Sequence, residues 1–298
     1  NRSVGLLSII MAVVKIGGIA VFGIVALWAG GFSFPNANSS AVGFDATGFV
    51  ASVALSILAF KGFTTITNSG GEITNPHRNV GRTIMISIAI CVVIYLLVAL
   101  AVGSNLTIDQ IVTAKDYSLA EAAAPAFGQA GFYFTVVLAA VATASGVLAS
   151  VFAVSRMLAM LTDMKMIPHR HFGMSGPVRS HTLVYTVVMA SILAVFFDLS
   201  RIASLGAFFY LIMDMLVHWG VFRHLRHEID ANGFILMCAL AFDAVVLASF
   251  TTMKLGSDPI IVFIAAIAIG AVFVFQRVYL KQWYVAPSDD KDHAMEGM

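Results

Sequence analysis

Residues 58–76 read LAFKGFTTITNSGGEITNP and begin inside a hydrophobic run long enough to cross a membrane. A spanning helix has apolar side chains and an unbroken backbone. This stretch instead carries Lys61, glycines at Gly62 and at positions 70 and 71, and a closing Asn-Pro pair. Irregular backbone at membrane depth is tolerated where it is buried in protein or lines a cavity. The stretch therefore predicts a broken helix that forms part of a binding site.

The composition is that of a membrane protein. The chain has 298 residues, 59% of them hydrophobic and 11% charged, and its mean hydropathy is +0.92. Soluble domains carry roughly 25% charged residues. The apolar runs are continuous over about 20 residues, which indicates helices rather than a β-barrel. We therefore predict an all-α polytopic membrane protein.

The sequence carries no pattern typical of an enzyme or a cofactor site. It contains no Gly-rich phosphate-binding loop and no Gly-x-Ser-x-Gly motif. His169 and His171 flank an arginine, but no Cys or Glu accompanies them, so we expect no metal site. This loop is the only support for an integral-membrane enzyme. A net charge of +1 also argues against a nucleic-acid partner.

About eight hydrophobic segments are predicted to cross the membrane. In chain order they cover about residues 4–29, 44–73, 83–102, 132–161, 183–197, 202–222, 234–253 and 260–279. They form a single transmembrane domain, 1–282, followed by a polar cytoplasmic tail, 283–298. The alanine-rich residues 118–127 form either a helix over the outer mouth or a plain connector.

The distribution of basic residues predicts the orientation. With the N-terminus inside, twelve of the seventeen Lys and Arg residues lie at inside ends and loops. The outside loops hold Lys115, Arg201 and Lys254, and the two remaining lysines, Lys15 and Lys61, lie within membrane segments. We therefore expect both termini in the cytoplasm and the chain in the cell membrane.

Three stretches resemble motifs of the amino acid–polyamine–organocation (APC) permeases. Residues 59–84, AFKGFTTITNSGGEITNPHRNVGRTI, resemble the family's broken helix with its AF-x-GF core, Glu and Asn-Pro. Residues 146–168, GVLASVFAVSRMLAMLTDMKMIP, resemble its eighth helix, and residues 13–18, VVKIGG, its fifth. The resemblance covers family helices five to twelve.

This resemblance implies a LeuT-like fold, made of two inverted five-helix repeats and two further helices. Residues 4–29 then correspond to the last helix of the first repeat, 44–222 to the second repeat and 234–279 to the two additional helices. The family's first four helices, including the other broken helix, are not in this sequence. We therefore expect the chain to be a fragment, truncated at its N-terminus.

The break offers groups that suit an amino acid. Unwound carbonyls accept hydrogen bonds from an ammonium group, and the N–H groups of the half-helix that follows attract a carboxylate. Phe60 or Phe63 can close over a substrate as a gate, or can simply pack. The resemblance places substrate contacts at Leu58, Ala59, Phe60, Gly62 and Phe63.

Two lysines depart from a purely apolar membrane segment. Lys61 stands where the family has an apolar residue; we expect it at the substrate site, selecting against cationic side chains, unless it faces a water-filled vestibule.

Lys15 lies near mid-membrane, where some family members use a lysine in place of a sodium ion. A desolvated ammonium can release and regain a proton, so Lys15 is predicted to couple protons, the alternative being a structural pair. The hydroxyls of Thr143, Ser145 and Ser150 can line an ion site or serve helix packing.

Two further pairs are candidates for gating and proton transfer. Glu72 can pair with Arg156 as an inner gate, or can be a simple helix-end charge. Asp214 and His218 are four residues apart, so they share a helix face and form either a proton relay or a structural polar pair. Asp243 is a lone acid at mid-depth with no predicted partner.

The sequence thus predicts a proton-coupled secondary active transporter for amino acids. A polyamine or organocation transporter, or an exchanger, of the same fold is the first alternative. A non-transporting membrane protein or truncated remnant is the second.

Overall fold

The computed structural model describes residues 2–34, 45–63, 66–67, 73–167 and 178–283, and within these ranges it is mainly helical with no strand. The all-α prediction is confirmed. The helices are α1 (Arg2–Ala29), α2 (Ala46–Phe60), α3 (Pro76–Asn105), α4 (Ile108–Ala114), α5 (Ser118–Asp163), α6 (Val178–Phe196), α7 (Leu199–Gly220), α8 (Gly233–Ser257) and α9 (Pro259–Trp283).

Six helical stretches of the described chain are long and apolar enough to cross a membrane. They lie in α1, α3, α5, α7, α8 and α9. The second and fifth predicted segments form shorter apolar helices, Ala46–Phe60 and Ser180–Phe196. All eight predicted segments therefore contain helix, and these two fall below the length of an ordinary span.

Helix starts follow local side-chain chemistry. Asp198 accepts a hydrogen bond from the backbone N–H of Arg201 at 2.8 Å, and Asn232 accepts one from Phe234 at 2.9 Å. Each satisfies a backbone donor that a helix start leaves unpaired. Proline opens α3 and α9, where its missing N–H costs nothing.

The chain divides into two compact units. The first contains α1, α3, α4, the part of α5 up to Ala153, and the break from Phe60 onward. Its α1 and α3 pack closely, since a Cβ added to Gly23 would lie 2.5 Å from Leu97. At one end of this pair the Asn105 amide donates to the carbonyls of Ala26 and Ala101, each at 2.8 Å.

The alanine-rich residues 118–127 are helical and not a plain connector. Gly128, with φ 58° and ψ −146°, separates them from the long remainder of α5, and this conformation is open essentially only to glycine. Ala122 and Ala123 are fully buried and pack in one cluster with Phe22 and Ala26 of α1. The short helix is therefore a packed part of the first unit.

The second unit contains α2 up to Ala59, α5 from Val154, and α6 to α9. Phe208 and Phe250 pack at its centre, with ring centroids 4.9 Å apart. At the start of α7, the Arg201 guanidinium bonds the Asp258 carboxylate, with Nε 2.7 Å from Oδ2. This ion pair joins α7 to the short connection between α8 and α9.

Candidate substrate and ion site

The helix breaks where the sequence predicted. Regular α2 ends at Phe60, residues 61–63 form a turn, and Ile66 and Thr67 are helical again. The Ile66 N–H donates to the Phe63 carbonyl at 2.9 Å. A turn inside an apolar segment leaves backbone groups that need partners from protein, water or a ligand.

Gly62 leaves open space at the middle of this turn. Its backbone is not left-handed, and a Cβ built there meets no atom of the described residues within 4 Å. Neither backbone strain nor a close neighbour therefore explains glycine at this position. The free space is suited to a group that lies against the backbone.

Both aromatic residues of the break contact a second side chain. The Lys61 ammonium lies over the Phe63 ring, 5.4 Å from its centroid, within the range of cation–π attraction. The Phe60 ring meets Tyr95 of α3 edge to face, with centroids 5.1 Å apart and planes at 62°. Sequence reasoning missed Tyr95, whose only signal is an aromatic residue in a largely aliphatic helix.

The predicted substrate residues divide between the two units. Leu58 and Ala59 belong to the second unit, where Leu58 lies beside Gly206 of α7. The residues from Phe60 to Phe63 belong to the first.

Lys15 has a hydroxyl partner on α5. Its ammonium nitrogen lies 3.4 Å from Ser145 Oγ, and the contact is partly buried. Lys15 is near the middle of the 28-residue α1. The structure thus brings the predicted proton-coupling lysine to one of the three hydroxyls predicted for an ion site, within the first unit.

His218 pairs with an acid that the sequence left unassigned. Its Nδ1 lies 2.8 Å from Asp243 Oδ2, and Asp243 is only 6% exposed. The sequence predicted Asp214, one turn away on α7, as the partner. The structure thus gives His218 a carboxylate partner on α8, and the pairing of His218 with Asp214 stays a prediction.

The remaining candidates are only partly described. Glu72 lies outside the described residues, as do His169 and His171, whereas Arg156 is exposed on α5 in the second unit. The inner-gate pair therefore stays a prediction. The described part of the chain holds no group of three His, Cys, Asp or Glu side chains arranged to bind a metal ion.

Comparison with known proteins agrees with this architecture. Residues 2–284 match the family model described as amino acid permease. The "Inner membrane transport protein YbaT" of Escherichia coli is 24% identical over 251 residues, which cover 84% of this chain and 57% of that protein. The "Uncharacterized protein MJ0609" of Methanocaldococcus jannaschii is 27% identical over 186 residues, 62% of this chain and 42% of that protein. The chain thus spans about half the length of these relatives.

A family match over nearly the whole chain, together with these apolar helices, shows that it belongs to the amino acid permease family, an APC group of integral membrane transporters with a LeuT-like fold.

Proposed function

We propose that the protein is a secondary active transporter that moves amino acids by alternating access and couples their movement to protons. Family membership supports transport of a small molecule across a membrane. The observation that carries the amino acid proposal is the turn at residues 61–63, beside the open space at Gly62. Its carbonyls are acceptors for an α-ammonium group.

The other half of the proposed site is expected from a second broken helix. In the proposed complex the substrate lies between two broken helices, and Leu58, Ala59 and residues 60–63 supply one side. The α-carboxylate is expected at N–H groups of a half-helix start, where the helix dipole favours an anion.

Lys61 is proposed to set the charge preference of this site. Its ammonium lies on the Phe63 ring, so a cationic side chain entering here meets a like charge. An anionic or neutral side chain meets no such repulsion. The contact also keeps Phe63, a proposed gate, beside the positive charge.

Lys15 is proposed to bind and release the coupled proton. Its hydrogen bond to Ser145 can form with a charged or a neutral amine. The two protonation states differ in the charge that they place between α1 and α5. That difference can bias one conformation of a transporter over another.

His218, together with Asp214 or with its partner Asp243, is a second candidate for proton transfer, and Glu72 with Arg156 remains the proposed inner gate. We also propose that both termini lie in the cytoplasm and that the host is the cell membrane. The support is the excess of Lys and Arg on the predicted inner side.

The direct test is uptake by the full-length protein in proteoliposomes. A panel of radiolabelled L-amino acids is offered with and without an inwardly directed proton gradient, and internal pH is recorded with an entrapped dye. Amino acid accumulation that depends on the gradient and acidifies the lumen supports the proposal. Polyamine uptake alone, exchange without net proton flow, or no transport would contradict it.

A further inference from the structure

Phe60 is the last residue of α2, so no regular helical turn follows its ring directly. Residues 61–63 form a turn, so the Phe63 side chain is not in the helical position three residues after the Phe60 ring. The described aromatic contact of the Phe60 ring is the edge of Tyr95, 5.1 Å away at 62°. Such edge-to-face pairs have a preferred geometry and restrict ring orientation.

Tyr95 itself stands on a well-anchored helix. It lies within the 30-residue α3, two residues before Leu97, which packs into the space at Gly23 of α1. The Asn105 amide ties the end of α3 to α1. The Phe60 ring at the end of α2 is therefore positioned by the Tyr95 ring, which belongs to the packed helix pair α1 and α3.

The contact is not part of the buried core of the first unit. Tyr95 is 39% exposed, and Phe60 is half-buried. The core residues of this unit, including Phe22 and Ala26, form a separate cluster. Loss of the Tyr95 ring should therefore alter the break more than it alters folding.

We propose that Tyr95 is a positioning residue of the substrate site. It acts through Phe60, whose ring it holds beside the break, and so sets how well the site accepts the substrate side chain. This inference rests on the proposed transport function, since affinity for substrate is the property that Tyr95 controls.

The test compares single and double variants of the full-length protein in proteoliposomes. The substrate is the best-transported member of the radiolabelled L-amino acid panel, and KM and maximal rate are measured separately. Tyr95→Leu should raise KM about three- to tenfold with little change in maximal rate, and Tyr95→Phe, which keeps the ring, should resemble the wild type. Phe60→Leu combined with Tyr95→Leu should be no worse than Phe60→Leu alone.

Tyr133→Leu is the matched control. Tyr133 also meets a phenylalanine edge to face, Phe132 at 6.0 Å and 83°, but both rings belong to α5 and neither contacts Phe60 in a described ring pair, so loss of Tyr133 should leave KM unchanged. If Tyr95→Leu is not recovered as a monodisperse protein, Tyr95→Met removes the ring with a flexible apolar chain.

An unchanged KM in Tyr95→Leu, an equal loss in Tyr95→Phe, or additive losses in the double variant would overturn the inference while leaving the transport proposal intact. Failure of the wild type to transport any amino acid would overturn the proposed function, and this inference with it.

Discussion

His218 Nδ1 on α7 and Asp243 Oδ2 on α8 lie 2.8 Å apart, and the carboxylate is almost fully buried. Removing one partner of a buried polar pair leaves the other without its hydrogen bond. The pair links α7 and α8 of the second unit, two helices that are long and apolar enough to cross a membrane, where few charged side chains are tolerated.

Asp243→Ala should lower the free energy of unfolding by about 1–3 kcal/mol, because His218 loses its buried acceptor. Asp243→Asn keeps a hydrogen-bonding oxygen and should lose less. Thermal unfolding in detergent, followed by tryptophan fluorescence, measures both. Equal stability of wild type and Asp243→Ala would show that the pair contributes nothing to the fold.

Gly62→Ala should impair transport without impairing folding. The added methyl group meets no atom of the described chain within 4 Å, so it occupies the space proposed for substrate, and KM should rise about tenfold or more. Gly103→Ala in α3 is the matched control, since its added methyl also meets nothing within 4 Å. A Gly62→Ala variant with wild-type KM would place the substrate elsewhere.

Lys15→Ala should abolish accumulation driven by a proton gradient, because the proposed proton-binding amine is gone. Counterflow of labelled against unlabelled substrate, which needs no gradient, should persist. Ser145→Ala should weaken gradient-driven uptake only a few-fold, because it removes one long hydrogen bond of 3.4 Å. Lys254→Ala on α8 is the control lysine, and intact gradient-driven uptake in Lys15→Ala would reject the coupling role.

Lys61→Met should relax selection against cationic amino acids. The variant removes the ammonium but keeps a long apolar side chain beside Phe63. Competition of arginine and lysine against the best substrate should therefore improve relative to wild type. The role of Lys61 in selection fails if the wild type already prefers arginine or lysine.

The Arg201–Asp258 pair should make acid stability depend on one carboxylate. The hydrogen bond from Arg201 lowers the pKa of Asp258 below its ordinary value of 3.8. A group with a depressed pKa contributes stability above its ordinary pKa and loses it as pH falls through the lower, folded value. At pH 7 the wild type should therefore have a higher melting temperature than Asp258→Asn. This difference in melting temperature should shrink as the pH falls below about 4. A difference that stays constant down to about pH 3 would contradict this.

Local features of the sequence predicted the break well, and tertiary contacts were harder to foresee. Lys61, Gly62 and the Asn-Pro pair interrupt an apolar run, so their effect is visible without knowledge of any neighbour. The predicted break therefore agrees with the end of α2 at Phe60.

Contacts between helices escaped this reasoning for a physical reason. The i,i+4 rule finds partners on one helix face, and it favoured Asp214 for His218. The structure also pairs His218 with Asp243, 25 residues further along the chain, which that rule could not find. Tyr95 was missed in the same way, because helix packing alone brings it to Phe60.

The hydrogen bond from the Asn105 side-chain amide to the Ala26 carbonyl can form only after a delay during synthesis. Chains emerge from the ribosome N-terminus first, at roughly 5–20 residues per second. The end of α1 is therefore made on the order of 4–16 s before its partner on α3 exists. During that interval α1 is without α3 beside it, so the Asn105 hydrogen bond cannot be what first holds α1 in the membrane.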